Sequence, residues 1–152
     1  MKYLVNGLLI AVLITAFSCE NQSASEQSAA AAKAEQTLNS PAVNVINVTE
    51  AQQKMELNPD VVVIDVRTKA EYDSETGHVI NSHLMPVQEI EQWSTEITEW
   101  KDKEVILICR SGNRSGIAGD YLRAKGFSKL YNVAGGMNSW NKEQLPVAKT
   151  EQ

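Results

Sequence analysis

The chain has 152 residues, 43% of them apolar and 22% charged, which makes one ordinary globular domain with a real core and little left for a second. Its formal net charge of -5 repels phosphate backbones, so nucleic acid is excluded as an expected partner. Two histidines and two cysteines, the latter at positions 19 and 109, offer neither a Cys-x-x-Cys pair nor a clustered ligand set, and no metal or other cofactor is expected.

Met1-Lys2 supplies a positive start, and Leu4 to Phe17 is apolar apart from Asn6, Gly7 and Thr15. That run falls short of the roughly 20 residues a membrane-spanning helix needs, so residues 1–18 read as a signal peptide. It closes with Thr15-Ala16-Phe17-Ser18-Cys19, which resembles the lipobox of bacterial lipoproteins, with Ala16 where that family usually has Leu. The resemblance implies cleavage before Cys19 and lipid attachment to it, hence a membrane lipoprotein outside the cytoplasm, facing the periplasm. Simple cleavage nearby, with Cys19 lost or left as a free thiol, and a retained anchor are the alternatives. Secreted proteins commonly pair their cysteines, but a lipidated Cys19 cannot pair. Cys109 is then a lone thiol in an oxidising compartment, either buried and inert or kept for its reactivity.

Past Cys19, residues Glu20 to Ser40 are mostly Ser, Ala, Gln and Glu with hardly a large apolar side chain, so 19–40 is taken together as the lipid-anchored segment. Such a segment cannot offset its ordering entropy and reads as a flexible tether. Pro41 opens the globular part, residues 41–148, and 149–152 form a tail. Val43 to Val48 reads as a strand, and Thr49-Glu50-Ala51-Gln52 as the capping box of a helix that ends near Asn58-Pro59. The β-branched run Val61-Val62-Val63-Ile64 is a strand buried on both faces. Between Gln88 and Trp100, Ile90, Trp93, Ile97 and Trp100 recur at helical spacing, and the tryptophans read as core. A second buried strand, Val105 to Ile108, runs directly into Cys109. Ile117, Ala118, Tyr121 and Leu122 define another helix with Gly126 as its C-cap. Lys129 to Val133 is a strand, Gly135-Gly136 a turn, and Met137 to Glu143 the last helix. Strands alternating with helices predict an α/β domain whose parallel sheet is covered on both sides. In such folds functional groups sit at the carboxyl ends of strands, where Cys109 falls.

The segment Cys109-Arg110-Ser111-Gly112-Asn113-Arg114-Ser115 joins a buried strand to a helix. A thiolate is the nucleophile, and its pKa falls near cations and at a helix N-terminus. Gly112 permits positive φ, so successive amides can face one centre and form an anion nest. A cysteine ending an apolar strand is often only a small hydrophobe, but packing asks for no Gly/Ser loop with two arginines.

These seven residues resemble the active loop of rhodanese-like sulfurtransferases, Cys-x-x-Gly-x-Arg-Ser. Asp65-Val66-Arg67, Glu71-Tyr72, Gly77-His78-Val79 and Val133-Ala134-Gly135-Gly136-Met137 through Trp140 match further landmarks of that family in order, from about Val43 to Val147. The resemblance implies a rhodanese-like fold with about five parallel strands. It implies that Cys109 takes the outer sulfur of a small anionic donor such as thiosulfate and passes it, as a persulfide, to a thiol, cyanide or protein acceptor. Arg110, Ser111, Gly112, Asn113, Arg114 and Ser115 would bind the substrate, the backbone amides cradling the persulfide and the guanidinium groups of Arg110 and Arg114 holding the donor. Asp65, Arg67 and Glu71 are expected to form a structural carboxylate–guanidinium cluster at the sheet end.

After Gly77-His78-Val79 the chain runs Ile80-Asn81-Ser82-His83, where the family usually has Pro-Gly-Ala and then an Asn; Asn81 is expected to keep the bend, since it tolerates the left-handed region. His78 and His83 read as structural or surface residues, because a persulfide relay with a low-pKa thiol needs no histidine base. The nearest enzymatic rival is a phosphatase or arsenate reductase; cysteine-dependent phosphatases place five residues between Cys and Arg, whereas four separate Cys109 from Arg114 here, a narrower cradle that suits one sulfur atom better than a phosphoryl group. Two rivals of another kind remain, a non-catalytic binding module and a protein-to-protein sulfur carrier.

Overall fold

The computed structural model describes residues 42–150. The signal peptide, Cys19, the tether, Pro41 and the last two residues of the tail lie outside the described residues.

Strand β1 (Asn44–Ile46) leads into α1 (Val48–Leu57), then β2 (Val62–Asp65), the single turn α2 (Lys69–Tyr72), β3 (His78–Val79) and β4 (His83–Leu84). Next come α3 (Ile90–Glu96), β5 (Glu104–Ile108), α4 (Asn113–Ala124), β6 (Lys129–Val133), α5 (Gly136–Lys142) and β7 (Val147–Ala148). Five strands form a parallel sheet in the order β1-β6-β5-β2-β4, and β3 pairs antiparallel with β7 in a small second sheet.

Alternation along the central strands builds two cores. Ile64, Val66, Val105, Leu107 and Leu130 pack with Trp93 and Ile97 around α3, and with Ala118 and Leu122 of α4. Val63, Ile106, Ile108 and Val133 pack with Val48 and Ala51 of α1, and with Met137 and Trp140 of α5. β2 and β5 are therefore apolar on both faces, as a sheet covered by two helical layers requires.

Several local expectations shift. The first strand is three residues long, not Val43 to Val48, because the capping box closes two residues earlier than Thr49. The Asn47 side chain accepts from the Glu50 amide at 2.9 Å, and Glu50 accepts from the Asn47 amide at 2.8 Å. Both frames fit the box pattern; Asn caps better than Thr, and this frame buries Val48 and Ala51. The period between Gln88 and Trp100 is one apolar face but not one helix. A 3-10 turn (Val87–Glu89) precedes α3, the chain leaves helical geometry at Ile97, and a second 3-10 turn (Thr98–Trp100) follows. Trp93 and Ile97 are buried, and Trp100 packs against them. Ile117, read as part of the apolar face of α4, is 65% exposed; Ser115, Ala118, Gly119 and Leu122 form that face. Asn81 takes φ +61 at the expected bend.

The strand order sets the site. The chain leaves β2 outward to β4, returns to β5, and continues the other way to β6. The direction of winding reverses between β2 and β5, and the crevice of such a sheet opens at the carboxyl ends of that pair. Asp65 pairs in register with Ile108, and the Val66 amide extends the ladder to the Ile108 carbonyl at 2.9 Å. The loops after Asp65 and Ile108 thus emerge side by side.

Candidate active site

Cys109 is the first residue past β5 and is 1% exposed. The loop that follows is shaped from both ends. At its start, α5 delivers two amides: Met137 donates to the Cys109 carbonyl at 2.8 Å and Asn138 to the Arg110 carbonyl at 3.0 Å. With those carbonyls drawn toward α5, the amides of the loop are free to face its centre. At its end, Gly112 takes φ +98 and caps α4, a conformation that costs other residues strain. Its amide donates to Cys109 Sγ at 3.1 Å. The Ser115 hydroxyl lies 3.3 Å from Sγ.

Two effects oppose each other at the thiol. Burial pushes its pKa up; the Ser115 hydroxyl and the amides of Ser115, Ser111 and Gly112 pull it down, and the net result lies below the ordinary thiol value. The first turn of a twelve-residue helix, α4, adds its positive end. Cys109 is therefore buried, yet its surroundings favour the anion more than an ordinary thiol's do, which a purely hydrophobic packing role does not ask for.

The two arginines occupy different places. Arg110 is exposed with its guanidinium unpartnered among the described residues, and Ser111 and Asn113 are exposed beside it. Arg114 turns to Glu71 in a bidentate pair, Nη1 to Oε2 at 2.7 Å and Nη2 to Oε1 at 2.6 Å. Glu71 is itself fixed as the third residue of α2, where it accepts from the Thr68 amide at 3.2 Å and the Thr68 hydroxyl at 3.1 Å. The Arg114 guanidinium holds the Glu71 carboxyl at about 2, well below its usual range.

The cluster expected from Asp65, Arg67 and Glu71 divides in two. Asp65 and Arg67 form a buried pair, Nη2 to Oδ2 at 2.7 Å, and Arg67 also donates to the carbonyls of Gly77 at 2.9 Å and Glu71 at 3.2 Å. The Glu71 side chain belongs to Arg114. One pair ties the end of β2 to the β3 turn, and the other ties α2 to α4 across the crevice. His78 is buried and stacked on Tyr72, with Nδ1 3.2 Å from the Tyr72 carbonyl, while His83 is exposed against Trp100.

Sequence reasoning missed two contributors. Gly136, read as part of a turn and of a family landmark but not of the site, takes φ +52, and a Cβ there would stand 2.1 Å from the Cys109 carbonyl oxygen and 2.8 Å from the Ser111 nitrogen. It lets α5 approach the loop backbone to backbone. Asn132, on β6, sends Nδ2 to the Gly112 carbonyl at 3.0 Å and receives the Ser115 hydroxyl on Oδ1 at 2.7 Å. The available signal was a polar residue near the carboxyl end of a strand neighbouring β5.

A buried thiol held toward its anion by a glycine-turned nest at the carboxyl end of a parallel sheet defines a cysteine-loop protein built to carry charge on sulfur. The chain belongs to the rhodanese-like domain family, whose model matches residues 47–143. It is 33% identical over 109 residues to a sulfurtransferase of Allochromatium vinosum, across 72% of this chain and 98% of that one. A putative sulfur carrier protein of Bacillus subtilis, YrkF, is 31% identical over 67% of this chain and 53% of its own length. Among solved structures, the polysulfide-sulfur transferase homodimer of Wolinella succinogenes superposes with a TM-score of 0.62 at 26% identity, covering 88% of this chain and 93% of that one.

Proposed function

We propose that this protein moves a sulfane sulfur from a small anionic donor such as thiosulfate to a thiophilic acceptor through a persulfide on Cys109. The observation that carries the reading is that the Gly112 amide, at 3.1 Å, and the Ser115 hydroxyl, at 3.3 Å, both point to Cys109 Sγ. The thiolate attacks the outer sulfur of thiosulfate; the new S–S bond forms as the old one breaks, and sulfite leaves with the bonding electron pair. The charge then sits on the outer sulfur, where amides that stabilise the thiolate can follow it. Sγ is almost fully buried, and the persulfide places the transferable atom about 2 Å beyond it, within easier reach of an acceptor. Attack by the acceptor on that atom returns the thiolate. Arg110, exposed at the rim, meets the donor's charge, while Arg114 keeps α4 and α2 in place through Glu71.

Intact mass of the full chain after incubation with thiosulfate tests this. A gain of one sulfur that disappears with cyanide, and never forms in Cys109→Ser, supports the relay; no gain in folded, reduced protein sinks thiosulfate as donor. A protein-to-protein carrier is the second reading, favoured by the likeness to the Bacillus subtilis protein. Faster discharge to a protein thiol than to cyanide would select it. The amino-terminal sequence supports attachment of the domain to a membrane through lipid on Cys19, outside the cytoplasm. Palmitate labelling of the chain that is lost in Cys19→Ser checks that part.

A further inference from the structure

The Ser115 hydroxyl has one proton and two claimants. Cys109 Sγ lies 3.3 Å from Oγ, and Asn132 Oδ1 lies 2.7 Å from it. The orientation of the Asn132 amide follows from its other contact. The Gly112 carbonyl can only accept, so the group 3.0 Å from it is Nδ2, and Oδ1 faces Ser115. The Gly112 carbonyl also accepts from the Gly116 amide at 3.1 Å, which fixes it as the reference for the arrangement.

We propose that Asn132 is a positioning residue for Cys109, one that competes with the sulfur for the Ser115 proton and so disfavours the empty thiolate relative to the loaded persulfide. With a neutral thiol all three groups are satisfied: S–H donates to Oγ, and Oγ–H donates to Oδ1. With a thiolate they are not. If the hydroxyl turns to the sulfur, two oxygens 2.7 Å apart face each other without a proton; if it stays with Asn132, oxygen lone pairs face the anion. In the persulfide the charge has moved to the outer sulfur, Sγ needs no donor, and the Ser115–Asn132 bond reforms. Asn132 thus keeps the unloaded thiolate basic and nucleophilic, and makes it a slower leaving group when an acceptor attacks. The proposal rests on Cys109 as the reacting group and deepens that reading.

The charged groups near the sulfur are common to every variant considered. Arg114 of α4 interacts electrostatically with Cys109 and has Glu71 of α2 paired on its guanidinium, and Arg110 is exposed next to Cys109 on the loop itself. The carboxyl end of β6 and the first turn of α5 bring Asn132, Val133, Gly136, Met137 and Asn138, none of them titratable.

The test is a thiol titration that needs no sulfur donor, so its failure is separate from failure of the sulfur-transfer reading. The full chain carrying Cys19→Ser has Cys109 as its sole thiol, and its ionisation is followed by thiolate absorbance and by the pH dependence of iodoacetamide alkylation. Asn132→Ala is expected to lower the midpoint by about one pH unit when Ser115 is present. In the Ser115→Ala background the same substitution is expected not to lower it, because the proton in dispute is gone. Loss of the Gly112 contact works in the opposite direction and is common to both backgrounds, so the difference between them isolates the route through Ser115. Asn132→Asp supplies a second arm of opposite sign, raising the midpoint more with Ser115 than without it. Equal shifts in the two backgrounds, for either substitution, would overturn the proposal and leave Asn132 as a support for Gly112 alone.

Discussion

Replacing Glu71 by Gln isolates the contact that joins the loops after β2 and β5. The side chain keeps its size and its bonds to Thr68 but loses the charge that receives both Arg114 nitrogens at 2.7 and 2.6 Å. The carboxyl stands at about 2 in the folded protein against an ordinary 4.5. At about 1.36 kcal/mol per pH unit that displacement sets an upper bound of roughly 3.4 kcal/mol. Both partners are close to one-third exposed, and solvent screening brings the expected loss at pH 7 down to about 1–2 kcal/mol. The sign follows from the direction. A depressed carboxylate pKa contributes stability that is complete above 4.5 and lost as pH falls toward 2, so wild type and Glu71→Gln should converge over that window. Urea unfolding at a series of pH values between 7 and 2.5 measures the gap. A gap that is absent at pH 7, or that stays constant on acidification, refutes the account of the pair. Sulfur loading should fall alongside stability, since Arg114 opens the same helix that presents Gly112 and Ser115 to the thiol.

Gly136→Ala should abolish sulfur loading and cost at least about 2–3 kcal/mol, because backbone atoms that cannot yield stand 2.1 to 2.8 Å from the new Cβ. Gly126→Ala is the control: φ is also positive, at +93, but nothing lies within 4 Å, so about 1 kcal/mol and full activity are expected in urea unfolding and sulfite-release assays. Asp65→Asn leaves the buried Arg67 guanidinium without its counter-charge and should lower stability by about 3–5 kcal/mol, read from the urea midpoint; a loss under about 1 kcal/mol would show that the carbonyls of Gly77 and Glu71 suffice. Arg110→Ala should change stability by less than about 0.5 kcal/mol while raising KM for thiosulfate about fivefold, in line with roughly 1 kcal/mol for an exposed charge contact; an unchanged KM would remove Arg110 from donor binding.

Reading the chain alone singled out the strand–loop–helix that carries Cys109 because all its determinants are adjacent in sequence. A buried strand, a cysteine, a glycine able to turn and the start of a helix lie within a dozen residues, and each local preference points to the same conformation. The two-core sheet was legible for a similar reason, since the continuous apolar runs at Val61–Ile64 and Val105–Ile108 state their own double burial. Boundaries were less so. Asn47 and Thr49 both open a plausible cap, and only the docking of Val48 and Ala51 onto the sheet decides between them.

What tertiary structure alone decided are the choices of partner between residues far apart in the chain. Glu71 could brace Arg67 or Arg114, and the reversal of winding between β2 and β5 brings it to Arg114, 43 residues away. Asn132 reaches the Cys109 loop because β6 lies beside β5 in register, Leu107 opposite Asn132. Gly136 matters because α5 is pressed against the loop carbonyls. Local sequence carries backbone preference and hydrophobic period, which are short-ranged; side-chain hydrogen bonds depend on which strand lies next to which, and that order emerges only when the sheet closes its two cores.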